Sequence, residues 1–426
     1  MATSYPAAAQ EINDKVDLIS SVSDPIISAA TSSKISAESV PMSFAEVENI
    51  LWQHPLLDSF SLGATAERSR AEGALGLPDP VVSLQINNVP LFDPSFSEYL
   101  PSNKAVGIRQ ALPSRDERKA NSLKSLRSAA VMEGEREQQY AKMRGQVLTL
   151  LIAKTAIEER RNLVMMRSAK YDELAEIIDI EINAGRPLLF RLAQVDVERS
   201  EVSTNLSDLA TEEAEINAEL VNLLGVIPHT PLPELNKIPL TGNALQFHGV
   251  RLADLAVNVS DAEIQKAEAD FKPDWGVNLT YQQRESGQGP RSNFDGEDWI
   301  SGGVTFSIPL WAGQRQEPNL RAAKTDKNAA MARRTSIARK LQSDWLRYDA
   351  RQKSSQENIK IFEAKIKAIE EKQAAQLISY ESGAGDYSSI LDAEIAVLML
   401  RSEIVKAQTE RDQLIATMNS LLVTPS

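Results

Sequence analysis

The sequence predicts a mainly α-helical fold with a small β part, arranged as two tandem helix–β-hairpin–helix repeats. Two observations support this prediction. Apolar residues recur every seven positions across residues 186–224, and a matching pattern returns 198 positions later. Each copy is preceded by a glycine at that same offset, Gly185 in the first and Gly383 in the second. A seven-residue period keeps one helix face against a partner helix, and glycine ends helices by adopting positive φ. Each copy is therefore predicted to be the returning arm of a helical hairpin.

Two apolar seams run along each returning arm. The first seam consists of Val195, Val202, Leu209, Ile216 and Leu223, and in the second copy of Ala393, Leu400, Ala407, Leu414 and Leu421. The second seam consists of Leu192, Leu206 and Leu220, and in the second copy of Ile390, Val397, Ile404 and Met418. Prolines recur at nearly the same offset, Pro78 with Pro273 and Pro113 with Pro309. An offset this constant indicates an internal duplication.

Composition excludes several classes of function. The 46 Lys and Arg residues are outnumbered by 59 Asp and Glu residues, and the net charge of −13 disfavours nucleic acid or an anionic membrane surface as partner. Cysteine is absent, which removes disulfides, thiolate metal sites and cysteine nucleophiles. No run of about 18 apolar residues occurs, which excludes a transmembrane helix.

The chain begins with a segment that has no period. Residues 1–42, rich in serine and alanine, are predicted to form an extended leader. Ser43 then starts a helix, because Glu46 three residues later completes a capping box. Pro55 interrupts this helix early, and helical composition resumes to about Leu75.

The first repeat, residues 43–226, contains the first β-hairpin. Apolar and polar residues alternate across about 81–89 and 104–112, which predicts two strands. A helical hairpin follows over 114–224. Its first arm is unbroken to about Ile180, which at 1.5 Å per residue gives a helix of roughly 100 Å.

The second repeat, residues 251–426, follows a proline-rich linker over 227–250. Strands are predicted at about 276–284 and 299–309, and a second helical hairpin at 318–422. Pro309 ends the last strand as Pro113 ends its counterpart.

Each strand separates an apolar face from a polar face. The apolar face contains Val82, Leu84, Ile86, Val277, Leu279, Tyr281, Ile300, Val304, Phe306 and Ile308. The polar face contains Ser83, Gln85, Asn87, Arg109, Asn278, Thr280, Gln282, Arg284, Ser301, Thr305 and Ser307. One interpretation packs the apolar side inward against soluble helices. The other places it in lipid, because strands of about 9–10 residues cross an outer membrane at a tilt. Four strands do not close a barrel, so the second interpretation requires two or more copies, and three copies give twelve strands.

Several segments resemble the TolC-like outer-membrane efflux channels. Phe44 to Pro55 is similar to the opening motif of that family, with His54 where asparagine usually precedes the proline. Leu77 to Pro90 is similar to the heavy-metal branch, of CzcC and CusC type. Tyr380 to Gly383 followed by Ile390 to Ala393 resembles the family's second tip motif. The resemblance covers roughly residues 43–423.

The resemblance implies an assembly and a location. The expected assembly is a homotrimer with a 12-stranded outer-membrane barrel and a long periplasmic coiled-coil α-barrel. It would dock through a periplasmic adaptor protein to an inner-membrane pump and conduct heavy-metal cations passively to the outside. An alternative keeps the channel but gives it drugs or a secreted polypeptide as cargo. A different class of alternative is a soluble periplasmic coiled-coil scaffold or adaptor.

The resemblance also suggests site residues. Asp392 stands where the family places an acidic residue at the periplasmic aperture, and Asp386 would replace a second aspartate, whose position is Ser389 here. The hairpin tips that meet the adaptor would be shaped by Gly185, Arg186, Pro187, Gly383 and Gly385. The expected barrel lumen is lined by Ser83, Gln85, Arg109, Asn278, Thr280, Arg284 and Thr305. The competing interpretation makes Asp386 a turn residue and Asp392 a solvated helical charge.

No sequence pattern indicates an enzyme. The chain contains no phosphate-binding loop, nucleophile elbow or His-Glu-x-x-His motif. His54, His229 and His248 are far apart and lack a second ligand at helical spacing. We therefore expect no catalytic residues, no cofactor and no bound metal.

Overall fold

The computed structural model describes residues 39–287 and 295–423, so the predicted leader lies, up to residue 38, outside the described residues. The elements are β1 (Ser39–Pro41), α1 (Phe44–Trp52), α2 (Pro55–Gly73), β2 (Val81–Asn87), β3 (Asn103–Leu112), α3 (Arg115–Asn183), α4 (Leu189–Leu224), β4 (Ile227–His229), a 3₁₀ turn (Ala244–Gln246), α5 (His248–Ala269), β5 (Trp275–Gln283), β6 (Trp299–Phe306), α6 (Gln316–Glu381) and α7 (Ser388–Leu421). The order helix, strand, strand, long helix, long helix therefore occurs twice. The duplication itself stays a prediction from sequence.

The chain divides into two compact units, which we name here. The sheet unit comprises Pro55–Lys142, together with the described residues of Ile238–Arg347 and those from Asn419 onward. The tip unit comprises the described residues up to His54, together with Met143–Lys237 and Tyr348–Met418.

The sheet unit contains one four-stranded antiparallel sheet in the order β2-β3-β5-β6. The register aligns Leu84 with Val106, and Val106 with Tyr281, across the first three strands. Tyr281 is in turn aligned with Ile300 on β6. Since neighbouring residues across a sheet point to the same side, both predicted hairpins present their apolar residues on one common face.

That apolar face is exposed. Leu84 is 80% exposed, Val304 63% and Leu279 51%, whereas Ala105 on the opposite face is 3% exposed. The interpretation in which the apolar side packs inward against helices of the same chain is therefore wrong. Burying this face requires contact with something outside the chain, because an apolar surface this continuous is costly in water.

The sheet has two open edges. Among the described residues, β2 pairs only with β3, and β6 pairs only with β5. Each edge presents unpaired backbone N–H and C=O groups, which favour pairing with another chain.

The tip unit begins with a predicted feature and an unpredicted one. The capping box is confirmed, with the Ser43 backbone N–H donating to Glu46 Oε2 at 2.7 Å. The unpredicted feature is a parallel pair of short strands, in which β1 aligns Ser39 with Ile227 of β4. The end of the predicted leader and the start of the predicted linker are therefore paired strands. Three-residue strands containing proline carry too little alternation to be recognised.

The apolar seams of α4 and α7 are largely buried. Val195, Val202, Leu209, Ile216 and Leu223 are each at most 8% exposed. In the second copy Ala393, Ala407 and Leu414 are buried, whereas Leu400 and Leu421 are half-buried. A further cluster packs Leu148 and Ile152 of α3 against Ala416 of α7, with Phe44 alongside.

The linker and the second repeat differ slightly from the predicted bounds. α5 begins at His248, inside the predicted linker, and β6 ends at Phe306, three residues before the predicted end. Within the described ranges, no helix combines the length and the apolar character that crossing a membrane requires.

Candidate functional site

The turns that end the two helical hairpins depend on glycine. Gly185 has φ +90° and Gly383 has φ +77°, in the left-handed region that glycine reaches without strain. The Arg186 guanidinium donates to Glu181 at 3.2 Å across the first turn, and its backbone N–H donates to the Glu181 carbonyl. Pro187 follows and keeps the chain out of helix before α4 begins.

Gly385 is required by close approach rather than by backbone angle. A Cβ at this position would lie 2.7 Å from the Tyr380 backbone nitrogen, closer than real Cβ contacts allow. A residue without a side chain at this position therefore lets the chain pass close to the Tyr380 backbone.

The Asp386 carboxylate is used inside the second turn. It accepts a hydrogen bond from the Ser388 backbone N–H at 3.2 Å and another from the Ser388 hydroxyl. This is the local bonding by which aspartate stabilises the start of a helix. The geometry favours the turn role over a free acidic group.

The Asp392 carboxylate is paired across the two hairpins. It accepts from the Arg191 guanidinium, which comes from α4, while half of the Asp392 side chain stays exposed. The pair borders a cavity of about 110 Å³ that Tyr171 and Glu198 also line. Sequence reasoning missed Arg191 because no local pattern connects two residues 201 positions apart.

Further polar contacts join α3 to the second hairpin near these turns. The Lys170 ammonium donates to Glu173 at 2.9 Å and approaches Glu394 of α7 at 2.8 Å. Hydrogen bonds to Glu394 and Glu173 raise the pKa of Lys170 above its ordinary value. The Tyr387 hydroxyl is 3.5 Å from the Glu173 carboxylate. Burial raises the pKa of Tyr387, so it stays protonated and able to donate.

A second tyrosine–carboxylate pair lies within the first hairpin. The Tyr171 hydroxyl donates to Glu198 of α4 at 2.8 Å. Burial raises the pKa of Tyr171, and the hydrogen bond to Glu198 raises it further. Within the described residues, the Asp386 carboxylate bonds to Ser388 and the Asp392 carboxylate to Arg191, so the two aspartates share no partner.

The polar face of the sheet brings together six of the seven predicted lumen residues. Arg109 aligns with Asn278, and Thr280 aligns with Ser301. The remaining members of that face are Ser83, Gln85 and Thr305. Arg284 lies just beyond the end of β5, where its guanidinium stacks over the Trp299 ring at 3.6 Å. Polar side chains such as these favour contact with water.

Glycines keep the polar face tightly filled. A Cβ at Gly107 would lie 2.8 Å from the Ser83 hydroxyl, and one at Gly276 would lie 2.7 Å from the Thr305 hydroxyl. A Cβ at Gly303 would lie 2.7 Å from the Asn278 side-chain oxygen. These glycines leave space for longer neighbours, which sequence reasoning did not anticipate.

Aromatic residues stand near both ends of the apolar face. Trp275 and Phe306 stack at 5.4 Å between ring centroids at the end nearest the helices. Tyr281 lies six residues further along β5, and its hydroxyl donates to Asp298. An apolar band with aromatic residues at its borders is typical of strands that cross an outer membrane.

The parts of the chain that the structure describes contain no cluster of His, Cys, Asp and Glu suited to a metal ion. The candidate site therefore consists of two surfaces: the polar face of the sheet and the ends of the helical hairpins.

Comparisons with known proteins agree with this geometry. Residues 246–422 match the family model described as outer membrane efflux protein. The fold matches that of the outer membrane protein VceC from Vibrio cholerae, at 15% identity, TM-score 0.70, and coverage of 88% of this chain and 95% of that chain. It also matches CusC, at 14% identity, TM-score 0.70, and coverage of 91% and 96%. A third match is the open state of the Neisseria gonorrhoeae MtrE outer membrane channel, at 17% identity, TM-score 0.69, and coverage of 88% and 88%. No curated protein sequence matches this chain.

Proposed function

We propose that this protein is an outer-membrane exit duct, in which three copies close a 12-stranded barrel around a water-filled lumen. The single observation that carries the proposal is the four-stranded sheet, with one exposed apolar face, one polar face and two open edges. The outer membrane efflux protein match and the fold shared with outer-membrane channels support it.

The sheet has dimensions that suit the bilayer. β5 contains 9 residues and β3 contains 10, and at about 3.3 Å per residue they extend about 30 Å. Transmembrane strands tilt by about 45°, so this length crosses the hydrocarbon layer of an outer membrane.

Closure follows from the open edges. β6 of one copy would pair with β2 of the next, and both strands place odd-numbered residues on the polar face, as Ser83 and Ser301 illustrate. β2 contains 7 residues and β6 contains 8, so the two edge strands are also similar in length. The closed barrel leaves no edge, as a membrane-spanning sheet requires.

The hairpin ends would meet a periplasmic adaptor protein that connects the duct to an inner-membrane pump. Leu189 and Phe190, next to the first turn, are each 71% exposed and offer apolar docking surface. Gly185, Arg186 and Pro187 shape this end, and Gly383 and Gly385 shape the other. The duct itself needs no cofactor, since the pump supplies the energy.

Asp392 would form an acidic aperture at the periplasmic end, where three-fold symmetry brings three copies together. Its pairing with Arg191 offsets part of that charge and joins the two hairpins. Asp386 would act mainly by holding the turn. The proposed cargo is heavy-metal cations, on the resemblance of Leu77 to Pro90 to the heavy-metal branch.

The mass of the solubilised particle tests this function. Light scattering in detergent, corrected for bound detergent, should give three times the chain mass of 46.9 kDa. The particle should leave membranes only with detergent. Release by high salt alone, as a monomer, would contradict the duct and favour a soluble scaffold.

A further inference from the structure

Arg109 is the one charged side chain on the polar face of the sheet, among the strand residues that the structure describes. It lies near the end of β3 from which α3 leaves. Arg284, the other lumen arginine expected from sequence, lies past the strands and is stacked on Trp299. Arg109 is therefore the charge that the described strands contribute to the polar face.

No acidic residue is aligned with Arg109 in the sheet register. Its register neighbours are Val81 on β2 and Asn278 on β5, and the nearest residues of the same face on β3 are Gly107 and Ala111. None is acidic, and Arg109 makes no ion pair in the described part of the chain. The side chain is exposed.

Two carboxylates lie beyond this end of the strands, Asp79 two residues before Val81 and Asp274 four residues before Asn278. The Asp274 carboxylate accepts from the Ser114 backbone N–H at 3.1 Å, and four residues place it about 13 Å along the strand from the level of Arg109. The Debye length at physiological ionic strength is about 8 Å, so the Asp274 charge is largely screened from Arg109. Asp79, about 7 Å along the strand from that level, offsets part of the Arg109 charge without pairing with it in the described residues.

We propose that Arg109 makes the barrel anion-preferring, an inference that rests on the trimeric duct proposed above. Three symmetry-related guanidinium groups would face the lumen at one level of the barrel. A ring of arginine or lysine side chains favours anions, as an acidic ring favours cations. A metal cargo would then cross this level most easily as an anionic complex, and organic anions would cross it readily.

Reversal potentials in a planar bilayer test this proposal. Purified full-length trimers are recorded in a KCl gradient as the unsubstituted chain, Arg109→Gln and Arg109→Glu. The reversal potential should move toward the potassium equilibrium potential with Arg109→Gln and further with Arg109→Glu. The shift should grow as mean salt falls from about 0.1 M to about 0.01 M, because the Debye length rises from about 10 Å to about 30 Å.

Lys104→Gln is the matched control. It removes the same charge from the same strand, but Lys104 lies on the apolar side and pairs with Glu285 at 2.9 Å. Its effect on the reversal potential should be small at every salt concentration.

Because the chain has no cysteine, a thiol-specific reagent would modify only an introduced cysteine and could restore the charge at position 109. Arg109→Cys treated with a quaternary-ammonium methanethiosulfonate should recover the original reversal potential, whereas a sulfonate reagent should reproduce Arg109→Glu. Equal reversal potentials for the unsubstituted chain and all Arg109 variants, with currents intact, would overturn the proposal and leave the duct standing. Absence of current from every trimer, including the unsubstituted one, would overturn the duct itself.

Discussion

At the level of single residues, the contact between Asp392 and Arg191 shows how a partner offsets the charge that an aspartate brings to the proposed aperture. Taken from sequence, Asp392 is a free acidic group in a family position. In the structure it is paired with an arginine of the other hairpin. The aperture would then depend on the balance between the two charges, and the two partners can be tested against each other.

Removing either partner should move ion selectivity in opposite directions. Asp392→Asn leaves Arg191 uncompensated, so cation preference and block by trivalent cations from the periplasmic side should fall. Arg191→Gln frees the carboxylate, so both should rise. Exposed pairs contribute only about 0.2–1 kcal/mol, so both variants should fold. Bilayer recordings of ion selectivity and of block by trivalent cations, made for each variant, test this prediction.

Changes of the same sign from both variants would mean that the pair acts structurally, through the contact between hairpins. Asp386→Asn provides the comparison, since its carboxylate is used within the turn. It should alter selectivity less than Asp392→Asn.

The assignment of the two sheet faces can be tested at two neighbouring residues of β6. Val304 is on the apolar face and Thr305 on the polar face. Val304→Arg should reduce membrane insertion, at a cost of about 2–4 kcal/mol near the bilayer midplane. Thr305→Arg should insert normally and change conductance. Heat-modifiable migration of membrane-extracted protein measures insertion, and equal loss in both variants would contradict the face assignment.

Residue roles were predictable from sequence where chemistry is local. Ser43 and Glu46 form the capping box because they are three positions apart, and Gly185 and Gly383 adopt positive φ because a turn needs it. The Arg191–Asp392 and Lys170–Glu394 pairs were not predictable. They arise from the packing of separate helices, which no single-sequence spacing encodes.

At the level of elements, the periodic spacing of apolar residues was the most reliable predictor of strands and helices. The strict alternation of Val82 to Asn87 and of Val277 to Gln282 predicted β2 and β5, and the predicted starts near 81 and 276 lie within one residue of the observed ones. β1 and β4 were missed because a three-residue strand containing proline has no measurable period. The start of α5 was placed late because nothing in the linker marks Phe247 as its N-cap.

The second hairpin turn should depend on two glycines for two different reasons. Gly383→Ala forces a side chain into positive φ, at a cost of about 1–2 kcal/mol. Gly385→Ala places a Cβ against the Tyr380 backbone, so the turn must shift. Both variants should be cleaved faster at this turn in limited proteolysis.

Gly73→Ala is the control for that prediction, because Gly73 ends α2 with open space around the Cβ position. Its cleavage pattern should match the unsubstituted chain. If Gly385→Ala also matched, the close approach to Tyr380 would not be a constraint on the turn.

At the level of the whole molecule, one chain is incomplete as a membrane structure. The apolar face is exposed and both sheet edges are open in the described residues. Sequence alone left a soluble interpretation of these strands available, because alternation does not say which side is covered. The structure removes that interpretation for the single chain, and in the proposed duct closure by further copies would cover the apolar face and the edges.

Disulfide trapping between β2 and β6 tests this closure most directly. The chain has no cysteine of its own, so introduced pairs report without background. Ser83→Cys or Gln85→Cys is combined with Ser301→Cys or Thr305→Cys, and the four combinations sample four registers. Within one chain β2 and β6 are separated by β3 and β5, about 14 Å, too far for a disulfide.

We predict that at least one combination yields a trimer-sized band on a non-reducing denaturing gel of oxidised outer membranes. The same combination with Val82→Cys in place of the β2 cysteine, on the opposite face, should not do so. Monomer bands in all four combinations, from protein that is inserted in the membrane, would contradict a barrel closed by β6 of one copy and β2 of the next.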